Sequence, residues 1–192
     1  MTDPARPDRC VAVILAAGGG SRFVGTTHKL LAEIGDSTVI ATSVAAPIRA
    51  GLTTAVVWGA VDVSGEVPDD VELVHNPDWA SGQASSLQCA VRWAATLDAV
   101  AVVVGLGDEP WVGAQAWGLV AANDSAPIVI ADFEGTRTPP VRLARSVWPL
   151  LPNSGDVGAG PLLRAHPELV VAIACDGDPS DIDTVEDLAR WI

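Results

Sequence analysis

Apolar residues in this chain gather in short runs that stop at glycine, proline or aspartate, and the runs alternate with stretches whose apolar positions recur at helical spacing. Residues 11–15 form the first run and lead into the small-residue stretch 16–20, the pattern of a strand entering a turn. Ser37 or Thr38 then caps a helix that continues to about Ala50, with Gly51 as its stop. Residues 53–58 and 71–75 read as strands, with an acidic turn between them at Pro68, Asp69 and Asp70. Over 83–97, Leu87, Ala90, Val91 and Ala94 fall on one helical face. Residues 99–106 are apolar at nearly every position, which suits a central parallel strand covered on both sides. The remaining pattern predicts helices at 113–122, 146–151, 157–166 and from Thr184 onward, with strands at 127–132 and 170–174. Such alternation predicts an α/β fold: a single-domain, three-layer, doubly wound, mostly parallel sheet.

Length agrees with this, since 192 residues accommodate one domain with a large core. Residues 1–9 are polar and contain proline, and they read as a flexible N-terminal tail before a domain spanning 10–192. The hydrophobic share is 49%, yet no apolar run is long enough to span a bilayer, and no leader pattern precedes the first strand. A cytoplasmic location is expected. The net charge of −13 argues against binding nucleic acid or an anionic membrane, because both require a positive field. Cys10, Cys89 and Cys175 are too scattered for a disulfide framework or a structural zinc site.

Open α/β sheets bind ligands at the carboxyl ends of their strands, which puts residues 16–29 and Gly107-Asp108 in one crevice. Glycines there let backbone N–H groups approach phosphate oxygens. Two familiar phosphate loops do not fit. A dinucleotide fingerprint read from Gly18 finds Phe23 where its third glycine belongs, which counts against an NAD-dependent oxidoreductase. A P-loop read from Gly20 to Gly25 requires lysine next, whereas Thr26, Thr27 and His28 precede Lys29. What remains is L-A-A-G-G-G-S-R-F followed by Gly25 and H-K-L-L. Lys29 is the lone lysine among 11 basic residues, and a compact ammonium serves a phosphate oxygen differently from a guanidinium.

These segments resemble the molybdenum cofactor cytidylyltransferase-like family, within the MobA-like NTP transferases. The family's L-A-A-G-x-x-x-R opening is matched at residues 15–29, its N-P-x-W-x-x-G-x-x-S-S-L at 76–87 and its G-D-x-P at 107–110. Its closing G-D-x-G-A and D-I-D-T-x-E-D-L are matched at 155–159 and 181–188. The resemblance implies a Rossmann-like nucleotidyltransferase fold that moves NMP from an NTP to a phosphorylated acceptor such as molybdopterin, releasing pyrophosphate with Mg²⁺. By that likeness Leu15, Ala16, Ala17, Gly18, Gly19, Arg22 and Lys29 hold the triphosphate, and Gly82, Ser85 and Ser86 lie near base or sugar. Arg22, Lys29 and Asp108 are the expected catalytic groups. Asp108 is the expected metal anchor, joined by Asp183 with Asp181 as the alternative, and CTP is favoured over GTP.

Each assignment has an ordinary structural counterpart. Asp181 and Asp183 are also natural caps for the last helix, as Ser85 and Ser86 are for theirs. Trp79 and Trp111 read as core or lid packing rather than as a pterin platform. The chain departs from the family pattern at an insertion around residues 24–27, at Pro139 in place of His or Asn, and at Gly160 in place of Arg. These departures motivate a second hypothesis, a non-catalytic nucleotide-binding maturation or partner protein for a molybdoenzyme.

Overall fold

In the first strand, β1 (Cys10–Ala16), alternate side chains enter two different cores: Val11, Val13 and Leu15 on one face, Ala12, Ile14 and Ala16 on the other. A strand apolar at successive positions has to be covered on both sides, and that requirement builds the rest of the molecule. The computed structural model describes residues 10–25 and 27–190. The tail expected over 1–9, Thr26 of the loop insertion and residues 191–192 lie outside them.

After β1 come a small hairpin of β2 (Glu33–Ile34) and β3 (Ser37–Thr38), then α1 (Val39–Arg49), β4 (Thr53–Trp58) and β5 (Glu72–His75). Next are α2 (Gln83–Thr96), β6 (Ala101–Leu106), α3 (Ala114–Ala122), β7 (Ile128–Phe133) and β8 (Thr136–Ala144). The chain closes with α4 (Gly160–Ala165), β9 (Val170–Ala174) and α5 (Val185–Ala189). The large sheet runs β5-β4-β1-β6-β8-β7-β9, and only β8 is antiparallel to its neighbours among the described residues. Leu188 of α5 joins α1 and α3 over one face, while α2 and α4 contribute to the core on the other. This is the mostly parallel, three-layer architecture expected.

Strand order reverses beside β1: the chain moves outward through β4 and β5, then returns through α2 to place β6 on the other side. The loops leaving β1 and β6 therefore diverge and open a crevice between them, which is where such sheets place their ligands.

Local chemistry explains most element ends. Thr38 caps α1 by accepting the N–H of Ala41 at 3.3 Å, and Gly51 beyond its end takes a positive φ of 77°. The segment expected as a helix at 146–151 is instead a 3-10 helix, Arg145–Leu150, because Pro149 denies it an amide. The helix expected over 157–166 begins only at Gly160.

Strand β8 was not legible, for its T-R-T-P-P-V-R-L-A sequence carries two prolines and two arginines. It pairs with β6 only through Val141–Ala144, and the prolines fall where its register against β7 shifts, between Ile130 and Ala131. The missing proline amides thus cost no ladder bond.

Gly82 begins α2 at φ 112° and ψ 172°, a region essentially confined to glycine. A Cβ there would come within 2.5 Å of the Gly155 carbonyl. That close approach lets Gly155 accept the Ala84 N–H at 3.2 Å and Asp156 accept the Gln83 N–H at 3.3 Å, filling the start of the helix. Gly82→Ala is therefore expected to cost about 2 kcal/mol or more in urea unfolding. An unchanged midpoint would contradict this reading of the Gly82 and Gly155 contact.

Candidate active site

Asp108 lies two residues past the end of β6, and the backbone of Gly107-Asp108 is fixed from three directions. Gly107 N–H donates to Leu15 O at 2.9 Å, the buried Ser43 hydroxyl meets Gly107 O at 2.9 Å, and Ile182 N–H donates to Asp108 O at 2.9 Å. Ile182 is fully buried, and as an anchor between two aspartates it sets where both carboxylates go. Thr184, not either aspartate, caps α5, through a reciprocal capping box with Asp187. Asp183 is thereby left to the cleft.

Lys29 lies between these carboxylates. Its Nζ donates to Asp108 Oδ2 at 2.6 Å and to Asp183 Oδ1 at 2.9 Å, and Arg22 Nη1 reaches Asp183 Oδ2 at 2.5 Å. Lys29 is 9% exposed, whereas the Arg22 side chain is 74% exposed. Burial alone would push the Lys29 pKa down, but the Asp108 charge and the hydrogen bonds that Lys29 donates to both carboxylates outweigh it and hold it above the usual value. Lys29 is a fixed ammonium at any physiological pH, and Arg22 adds an exposed guanidinium paired with Asp183.

The glycine turn above it is braced by His28. Its Nδ1 accepts the Leu30 N–H at 3.3 Å, so the neutral ring carries its proton on Nε2, which donates to Gly18 O at 3.1 Å. Desolvation lowers the His28 pKa, and the Lys29 charge adds to the effect. Gly20 takes φ 59° against this ring. A Cβ on Gly18 would meet nothing within 4 Å, so the bare backbone there opens onto the cleft.

The cleft encloses about 480 Å³. It is bordered by all the residues expected to hold nucleotide except Ser85: Leu15 to Gly19, Arg22, Lys29, Gly82 and Ser86, together with Asp108 and Asp183. The Ser85 hydroxyl is turned into a local network, accepting from Asn76 Nδ2 at 2.8 Å and lying 2.9 Å from Gly82 O. The same Asn76 amide donates to Ser86 at 3.0 Å, so one fully buried asparagine orders the whole 76–87 motif. Trp79 forms a wall of the cleft, its ring 3.2 Å from a Cβ position on Gly19.

Glu109, next to Asp108 and outside the cleft lining, is a buried acid that the sequence alone did not single out, although an acid following Asp108 after so apolar a strand was a visible signal. It is 6% exposed, and desolvation, helped by the charges of Asp108 and Asp181, pushes its pKa up to about 9. Asp181 does not border the cleft, and its own pKa is raised by desolvation and by Asp183 and Asp108. Asp156 and Gln83, also unassigned from sequence, border the cleft at the start of α2.

Residues 12–170 match the MobA-like NTP transferase domain. The chain belongs to that family. Over nearly its full length it is similar to nicotine blue oxidoreductase of Paenarthrobacter nicotinovorans, 25% identical across 95% of this chain and 97% of that protein. A shorter match to purine catabolism protein PucB of Bacillus subtilis (strain 168) is 28% identical and spans 57% of this chain and 56% of PucB. Among solved structures, a homolog of Mycobacterium tuberculosis rv0371c from Mycobacterium sp. strain JC1 superposes with TM-score 0.82 at 29% identity, over 95% of this chain and 94% of that one. A nucleotidyl transferase from Methanothermobacter thermautotroptrophicus gives TM-score 0.76 at 25% identity, over 95% of each chain. No helix among the described residues is long and apolar enough to cross a membrane.

Removing Lys29 would leave two carboxylates facing each other in a partly dry site. Lys29→Met is expected to destabilise the fold by about 3 kcal/mol in urea unfolding at pH 7, and a cost within 0.5 kcal/mol would contradict the pairing. Glu109 keeps its proton in the folded chain up to about pH 9 but ionises near 4.5 when unfolded. The folded state therefore binds more protons between these values, and stability falls as pH rises across that window. Glu109→Gln should raise the melting temperature at pH 8 and have little effect at pH 4; an equal shift at both would refute the buried neutral acid.

Proposed function

We propose that this family member is a nucleotidyltransferase that moves NMP from an NTP to a small phosphorylated acceptor and releases pyrophosphate. The observation that carries the reading is the convergence of Asp108 and Asp183 on one point, occupied by the Lys29 ammonium at 2.6 and 2.9 Å, beneath an open glycine turn. Two carboxylate oxygens already within reach of a single cationic atom are the hard donors a divalent cation prefers. Asp108 and Asp183 would hold Mg²⁺, which supplies charge neutralisation at the phosphates when bound.

The protein's own groups account for the rest. The backbone of Gly18 and Gly19 offers close approach to phosphate oxygens, and His28 keeps that turn in place. Lys29 is pre-oriented inside the cleft, while exposed Arg22 can leave Asp183 and follow the departing pyrophosphate. In the transfer, an acceptor phosphate oxygen forms a bond to the α-phosphorus as the bond from that phosphorus to the β-phosphate bridging oxygen breaks. An anionic nucleophile needs no proton removed, so catalysis reduces to alignment and charge stabilisation. CTP is favoured over GTP by the likeness of the opening motif to the cytidylyltransferases.

One full-length relative carries an oxidoreductase name, and the assay is built to separate that activity and bare nucleotide binding from transfer. Purified protein is given CTP or GTP, Mg²⁺ and a panel of phosphorylated acceptors including molybdopterin, with pyrophosphate as readout, and in parallel NADH or NADPH with redox dyes. Pyrophosphate release is expected, faster with CTP, and Asp108→Asn should reduce kcat/KM by about 100-fold or more. Nucleotide binding by calorimetry without turnover would establish the non-catalytic partner reading instead, and reduced-nicotinamide consumption would establish the redox one.

A further inference from the structure

A second cavity of about 560 Å³ adjoins the first across Leu15, Gln83 and Leu106. Its size falls within the range of about 300–1,000 Å³ usual for small-molecule sites. Leu87, Val104, Ile130, Val141, Leu163 and Val170 are among its apolar lining, and Pro139 and Gly160 add no side-chain hydrogen-bonding group. Against this apolar lining stand two charges, Arg137 and Arg164, and no acid among the described residues borders it. In a chain with 24 acidic and 11 basic residues, a cavity bordered by arginine alone is a marked local reversal of sign.

Both guanidiniums retain capacity for a ligand. Arg137 meets Asp132 only through Nε at 3.6 Å, and its side chain is 65% exposed. Arg164 forms no ion pair among the described residues. Its Nη1 lies 3.1 Å from the position a Gly160 Cβ would take, so the absence of a side chain at Gly160 makes room for the guanidinium over the cavity's edge.

We infer that this cavity binds an anion with an apolar body, its ring or hydrocarbon part against the leucine and valine wall and its phosphate or carboxylate on Arg137 and Arg164. The reason is desolvation. A heterocycle rimmed with hydrogen-bonding groups, such as a pterin, would find Gln83 and Thr138 as the side-chain amide and hydroxyl partners on the border. Each polar edge left unmatched costs about 1–3 kcal/mol. An apolar body incurs no such cost, and an arginine pair matches a carboxylate or phosphate with two-pronged, charge-assisted bonds. Resting on the transfer reading above, this makes the acceptor an apolar-bodied phosphate if the anion is a phosphate, or an apolar-bodied acid carrying a separate, attacking phosphate if it is a carboxylate, and places its body beside the nucleotide cleft.

The test uses the full chain without nucleotide or metal. Inorganic phosphate, glucose 1-phosphate, phenyl phosphate and phenylacetate are titrated by calorimetry. Phenyl phosphate or phenylacetate, or both, should bind at least about tenfold more tightly than inorganic phosphate and glucose 1-phosphate, and whichever phenyl compound is preferred identifies the anion as phosphate or carboxylate. Arg164→Ala should weaken that binding about tenfold, and Arg164→Lys should restore part of it. Equal affinities for phenyl phosphate and inorganic phosphate, tighter binding of the sugar phosphate, or indifference to Arg164→Ala would overturn the inference. Pyrophosphate assays separate the two claims: phenyl-anion binding without any turnover sinks the transfer reading alone, whereas turnover with polar acceptors only sinks this one.

Discussion

A single ammonium ion organises this molecule's cleft. Lys29 holds Asp108 and Asp183 together, and these arrive from opposite parts of the chain, one at the end of a central strand and one just before the last helix. Without a cation between them, two carboxylates in a partly buried site repel each other, which would oppose the closing segment lying where it does. The backbone bond from Ile182 N–H to Asp108 O and the burial of Ile182 fix the same juncture by packing. Charge and packing thus converge on one spot. On the proposed reading it is the spot where a triphosphate and its metal would be received.

The mostly parallel α/β architecture was visible in the sequence because the central strands β1 and β6 are buried on both faces and so read as unbroken apolar runs leading into small residues. Strand β8 escaped because a run with Pro139, Pro140, Arg137 and Arg142 has neither alternation nor continuous apolarity. It is placed by its partners β6 and β7, not by its own propensity. The 3-10 segment Arg145–Leu150 was read as an ordinary helix for a related reason: a turn held by a few local bonds leaves little periodicity by which to tell the two apart.

Site residues divide along the same line. Lys29, Asp108 and the glycine turn stood out by rarity or by position after a strand, and Asp183 came only through a resemblance and shared its weight with a capping role. The structure removes the capping role, since Thr184 and Asp187 do the capping. Glu109 and His28 were passed over because their significance is environmental. The sequence does not display the burial that keeps Glu109 protonated, nor the hydrogen bond from Leu30 that selects the His28 tautomer. The relatives add a further lesson: proteins named for oxidoreduction and for purine catabolism share similarity with this chain. What separates family members must then be sought in the lining of their cavities rather than in the sheet.

The central claim, that the Asp108 and Asp183 carboxylates and the Lys29 ammonium together receive a metal-bound triphosphate, is tested most directly by crystallography with Mn²⁺ and a non-hydrolysable CTP analogue, using the anomalous signal of manganese. The account predicts a manganese peak bridging Asp108 and Asp183, with the Lys29 Nζ displaced onto a phosphate oxygen beneath Gly18 and Gly19. Manganese and nucleotide bound elsewhere, with the Lys29 bridge intact, would contradict it.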